Sequence, residues 1–232
     1  MGDGIESVEY GIWLPNQQRR QSASFLEFDV PNPAARPLLR SLNVAIFALV
    51  LPLSTATAQK VPAVAQQISA AVLALPKEMR EGAGVLGYKT VGKLEVLRPT
   101  RNGMLCLADD PTEEQFHVSC YADSMDPFMA RGRALRLQGV TGAQVDTVRF
   151  AEVKTGKLKM PTQPAALYQI FGDKDAYDVA SNTVKNGRAL FVVYVPFATP
   201  QSTGLSTTPS DTKPWLMLPG TPKAHIMFTS TM

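Results

Sequence analysis

The sequence predicts an exported α+β domain: an antiparallel β-meander of six to eight strands with two or three helices packed on one face. Three observations carry that expectation. A segment with the layout of a secretory signal stands ahead of residue 59. Two Asn-Gly dipeptides, at Asn102-Gly103 and Asn186-Gly187, sit between short apolar runs, the strongest local hairpin signal. Two helical patterns with a glycine just past their ends, Gly139 and Gly156, separate the strand-like stretches.

The export segment is RPLLRSLNVAIFALVLPLSTATAQ, residues 36–59. Arg36 and Arg40 precede an apolar run from Val44 to Leu53, and Ala56-Thr57-Ala58 supplies an A-x-A cleavage site. The run is shorter than the roughly 20 residues that a spanning helix needs. The expected division is therefore a polar extension over residues 1–35, a signal peptide over 36–58, and a single exported domain over 59–232. The extension, with Trp13, Arg19 and Arg20, is longer than a secretory n-region. It points to an internal translation start such as Val30, which a precursor whose N-terminal sequence begins at Met1 would refute. No cysteine stands at the cleavage point, so a lipid anchor of the lipoprotein kind has no attachment site there. The expected location is periplasmic or extracellular.

The formal charge of the chain is +3, and from Gln59 onward 19 Lys and Arg face 15 Asp and Glu. The two signs are interspersed, which argues against a nucleic-acid partner. No second long apolar segment follows Leu53, so no integral membrane segment is expected in the exported part. Export also decides how Cys106 and Cys120 are read. In an oxidising compartment an even cysteine count favours a disulfide. The two straddle the DDPTEE turn symmetrically and face each other if the flanking strands pair about Glu113. Closing such a loop contributes about 3 kcal/mol by the chain-entropy argument.

The elements follow in order. Val64, Ile68, Val72 and Leu75 recur at helical spacing, with Pro62 suited to a first turn and Pro76 to an end. Strands are expected at Gly84–Tyr88, Lys93–Arg98, Met104–Ala108 and Gln115–Tyr121, the second and third joined as a hairpin through Asn102-Gly103. Along the last of these, Phe116, Val118 and Cys120 share one face while His117, Ser119 and Tyr121 share the other. Asp126 as a cap, Pro127 in the first turn and Gly139 at the end frame a helix. Thr141–Lys154 suits helix or strand by pattern, and its length and Gly156 favour helix. The AALYQIFG run and the VKNGRALFVVYVPF hairpin return to strand, with the apolar Leu190–Val195 near the sheet centre. A Pro-rich loop with six prolines fills residues 196–222, interrupted by the apolar Trp215–Leu218, and a last strand opens at His225.

Motifs for known chemistry are missing. There is no G-x-S-x-G elbow, no phosphate-cradling G-x-x-x-x-G-K-[ST] loop and no haem-attaching C-x-x-C-H, so no cofactor is implied. With only two histidines, an acid–base or zinc site draws on His117, His225 and a carboxylate such as Asp109. Arg131, Arg133 and Arg136 on one short helix suit an anion, through the guanidinium fork. The leading expectation is a non-enzymatic extracytoplasmic binding protein for a small molecule or an envelope component. Its recognition surface is expected on the Pro-rich loop, with Trp215, Tyr194 and His225 as ligand-binding residues. The rivals are a small hydrolase using a histidine with an acidic partner, and a structural envelope component.

Overall fold

The computed structural model describes residues 60–229 together with the short strands at 7–8 and 12–13. The chain divides into two compact units, residues 1–58 and 59–232. In the first, β1 (Ser7–Val8) pairs antiparallel with β2 (Ile12–Trp13). The signal segment and the Val30 start both lie outside the described residues.

The second unit opens with α1 (Val64–Ala71), which tightens into a 3-10 turn over Val72–Ala74. Four strands follow: β3 (Gly84–Thr90), β4 (Lys93–Arg98), β5 (Met104–Leu107) and β6 (Gln115–Ala122). Next come α2 (Asp126–Leu137) and α3 (Ala143–Lys154), then β7 (Ala165–Asp173). A small hairpin of β8 (Tyr177–Asp178) and β9 (Thr183–Val184) precedes β10 (Arg188–Tyr194). The chain closes with α4 (Pro200–Thr203), β11 (Trp215–Met217) and β12 (His225–Thr229). Eight strands form one sheet in the order β11-β12-β10-β7-β6-β5-β3-β4. The α+β class holds, with a sheet that is antiparallel except at one pair.

That pair is β3 and β5, which run parallel, while β4 lies outside them and pairs antiparallel with β3. The hairpin expected at Asn102-Gly103 is therefore absent: β4 and β5 are not neighbours. A two-residue type I′ turn needs positive φ at both positions, and here Gly103 has it (73°) while Asn102 does not. Asn102 instead donates from Nδ2 to Met79 O (2.7 Å) and accepts from Met104 N (3.1 Å). Residues 99–103 cross the start of β3, with Arg101 N donating to Gly82 O at 2.7 Å. Glycine makes the crossing feasible. A Cβ on Gly84 would stand 2.8 Å from the Thr100 backbone nitrogen, and one on Gly82 3.0 Å from Asn102 Cβ.

The second Asn-Gly also turns the chain without closing a hairpin. Asn186 has φ 51°, but β9 before it pairs with β8, and β10 after it pairs with β7 and β12. β10 is thereby interior to the sheet, as its apolar run predicts.

Helical side chains reach both faces of the sheet. α1 and its 3-10 turn pack on the face of Phe116, Val118 and Cys120. Gln67, buried on α1, accepts from Tyr88 N (2.8 Å) and donates to Tyr88 O (2.7 Å) and Pro62 O (2.8 Å), so a side-chain amide completes the strand's hydrogen bonding there. On the alternate face Tyr121 meets α2, its hydroxyl bonded to Asp126 Oδ1 and Arg133 Nη1, both at 2.8 Å. Asp126 is thus occupied inside the fold rather than capping its helix. Cys106 and Cys120 face each other across β5 and β6, with the sulfurs 2.05 Å apart. Among the described residues no helix is long and apolar enough to cross a membrane.

Candidate functional site

A cleft of about 320 Å³ opens on the α1 side of the sheet. Its walls come from four separate stretches: Lys60 to Ala70 around the start of α1, Asp109 and Pro111 in the β5–β6 turn, Phe116 on β6, and Lys174 and Tyr177 after β7. Strand alternation turns Phe116 to this side, and its ring stacks on Tyr177 with centroids 5.8 Å apart. The Tyr177 hydroxyl bonds Asn182 Oδ1 at 2.9 Å, which holds the ring against the β8–β9 hairpin.

The polar pole of the cleft is Asp109. Its Oδ1 accepts from the backbone N–H of His117 (2.8 Å) and its Oδ2 from Lys174 Nζ (3.1 Å), while Lys174 also donates to Asp110 O (2.9 Å). Burial pushes the Asp109 carboxyl above its usual range, and the His117 and Lys174 contacts pull against that shift. With Lys60 also in its lining, the cleft carries two ammonium groups to one carboxylate. An apolar floor with charged rims suits a small organic molecule whose body stacks on aromatic rings and whose polar end meets Lys60 or the Lys174–Asp109 pair.

His117 does not join this site with its ring. β6 sends that side chain to the opposite face, where it stacks on Phe171 at 4.3 Å and its Nε2 lies 3.0 Å from Gln169 Nε2. His225 is buried on β12, its Nδ1 2.6 Å from Lys223 O. Burial pushes both imidazoles down to about 4. Two strands, β10 and β7, stand between β12 and β6, and the pairings displace the histidines by six residues along β7, from Ala165 to Phe171. At about 4.8 Å per strand and 3.3 Å per residue the backbones of the two histidines are roughly 25 Å apart, far beyond the reach of their side chains. The acid–base or zinc site of His117, His225 and Asp109 is therefore not assembled. Among the described residues no group of three or more His, Cys, Asp and Glu is placed to hold a metal.

Trp215, expected on the recognition surface, is instead 5 % exposed, sits in β11 opposite Met227, and belongs to the core rather than to a presented loop surface. The exposed aromatic of the Pro-rich stretch is Phe197, at 53 % and with φ 63°. That stretch is ordered by local bonds: a capping box of Thr199 and Ser202 starts α4, and Gly204 (φ 70°) ends it. Two of the α2 arginines are committed to ion pairs within the fold, Arg131 with Glu152 at 2.6 Å and Arg133 with Asp126 at 2.9 Å.

Tyr194 and His225 do come together, opposite each other on β10 and β12 with ring centroids 5.3 Å apart. They are completely buried next to a charged group that the sequence does not announce. Lys223 Nζ donates to Asp146 Oδ2 at 2.8 Å, and Arg149 Nη2 to Asp146 Oδ1. Arg149 lies over the Phe128 ring at 3.9 Å, in space left by Gly132, whose added Cβ would stand 2.8 Å from Arg149 Nη1.

No family model, curated protein or solved structure matches this chain. Of the candidate catalytic, metal and ligand-binding residues expected from the sequence, Asp109 is the one that lines the cleft. The other walls are dispersed over more than a hundred positions, and no motif in the sequence links them.

Proposed function

We propose that the chain from Gln59 onward is an exported, non-enzymatic binding protein that holds a small organic molecule in the cleft between α1 and the β5–β6 turn. The observation that carries this reading is the cleft itself: about 320 Å³, with the stacked Phe116–Tyr177 pair and the Lys174–Asp109 pair on its walls. That volume lies at the small end of ligand sites. Binding is favoured over hydrolysis because Asp109, the cleft carboxylate among the described residues, is engaged by Lys174 and a backbone N–H, while the His117 ring stacks on Phe171 and His225 is buried beside Lys223. The export half of the reading draws support from the signal-like segment, from a compact unit that begins at Gln59, and from a cysteine pair at disulfide distance.

The test is a ligand-observed NMR screen of small aromatic and aliphatic acids, amines and sugars. Binders are expected to lose affinity roughly tenfold in Lys174→Gln and in Tyr177→Leu, the scale of one charged contact or one aromatic wall. Binders indifferent to both substitutions, or none at millimolar concentration, would overturn the cleft as the site. N-terminal sequencing of the secreted form tests export separately, with Gln59 as the expected first residue.

A further inference from the structure

We propose that Arg149, Lys223, Tyr194 and His225 form a second, buried site for a hydrogen-bearing oxyanion of the hydrogen phosphate type. The group holds more positive than negative charge. Arg149 and Lys223 are 3 % and 2 % exposed and share one carboxylate, Asp146. Burial pulls the Lys223 ammonium below its usual range, Asp146 works against that shift, and Arg149 and Arg136 add repulsion, so a further anion would hold Lys223 charged. A buried cation costs several kcal/mol unless it is matched, and one carboxylate does not match two.

The hydrogen bonding of the group is also incomplete. Arg149 Nε, the Tyr194 hydroxyl and His225 Nε2 are buried without a partner among the described residues. Tyr194 lies close enough to Arg149 and Asp146 for their charges to act on its hydroxyl. Arg149 Nε–H and Tyr194 O–H are donors and call for an acceptor. His225 calls for the reverse. Its Nδ1 faces the Lys223 carbonyl oxygen at 2.6 Å, which only accepts, so Nδ1 carries the proton and Nε2 accepts. An occupant must therefore bring negative charge, acceptor oxygens and one hydrogen. Hydrogen phosphate has all three. Sulfate has no hydrogen at neutral pH, and water satisfies the hydrogen bonds without the charge. Asp146, the carboxylate the two cations share, keeps 26 % of its side chain exposed.

The experiment is a titration of the full chain with inorganic phosphate, followed by 31P line broadening and by thermal melting, against sulfate and chloride at matched ionic strength and neutral pH. Saturable phosphate binding and a melting temperature raised by several degrees are expected, with sulfate roughly tenfold weaker. Tyr194→Phe, which preserves the packing, should weaken phosphate roughly tenfold, while Lys174→Gln in the cleft leaves it unchanged. Phosphate melts that coincide with chloride, without broadening, would mean that the group holds water only. Binding unaffected by Tyr194→Phe would place the ion elsewhere, and sulfate equal to phosphate would overturn the acceptor role of His225. Each of these outcomes is independent of whether the cleft takes an organic ligand.

Discussion

The two histidines are the residues whose burial has the clearest measurable consequence. Each is pushed down to about 4 from a usual value of 6.5 by loss of solvent. The folded chain holds both rings neutral, so the unfolded chain takes up protons first as pH falls. Stability from this source is complete above the unfolded value and is lost progressively between pH 6.5 and about 4. A shift of that size is worth roughly 3 kcal/mol per histidine at full protonation. Urea midpoints should therefore fall on going from neutral pH to about 5, a range above that in which ordinary carboxylates titrate. Replacing His117 by Phe should remove about half of the slope. A midpoint constant over that range would show that the rings reach solvent in the folded protein. The same burial explains why histidine was a poor guide to the site. A lone histidine on a strand carries no mark that separates a core ring stacked on Phe171 from an acid–base group, and the alternation that turns Phe116 toward the cleft turns His117 away from it.

Periodicity made the elements legible, but left their pairing hidden. Lys93–Arg98 has the bounds its pattern predicts, and the helices at α1, α2 and α3 fall within a few residues of theirs. Both Asn-Gly readings failed for a physical reason: a turn residue reports local backbone preference, whereas the partner strand is chosen by what crosses it. At β3 the decisive residues are Gly82 and Gly84, which let residues 99–103 pass across the strand's start and bring β5 in parallel. Gly84→Ala is expected to cost about 1–3 kcal/mol, the range for forced overpacking, because the added carbon meets the Thr100 backbone rather than a side chain that can swing aside. Chemical denaturation of the variant measures this. A loss below about 0.5 kcal/mol, the range of a neutral surface change, would mean that the crossing loop yields and that glycine is not what admits it. The cleft was hidden by the same logic. Its walls belong to elements that were individually foreseen, and the order in which the sheet stacks them is what brings Lys60, Asp109 and Tyr177 to one opening.

At the scale of the whole molecule the disulfide connects the sheet to the cleft. Cys106 and Cys120 are both fully buried under α1, so a reductant reaches the bond only when the sheet opens. Thiol labelling in reductant alone should be slow and should become fast in denaturant. Rapid labelling of the native protein would contradict that burial. Once the bond is broken, the loss of the cross-link is worth about 3 kcal/mol of stability by the chain-entropy argument. The loop it closes carries Asp109, Pro111 and Phe116, three of the cleft residues. The hydrogen bond from His117 N to Asp109 Oδ1 then ties that carboxylate to β6 without the cross-link beside it. Ligand affinity in the cleft should therefore drop in the Cys106→Ala/Cys120→Ala double variant under conditions where it remains folded. The group of Arg149, Lys223, Tyr194 and His225 hangs on α3, β10, β12 and the turn just before β12, outside the closed loop, and its response to phosphate should survive. If both responses vanish together while the fold is intact, the two sites are coupled through the sheet rather than separately held.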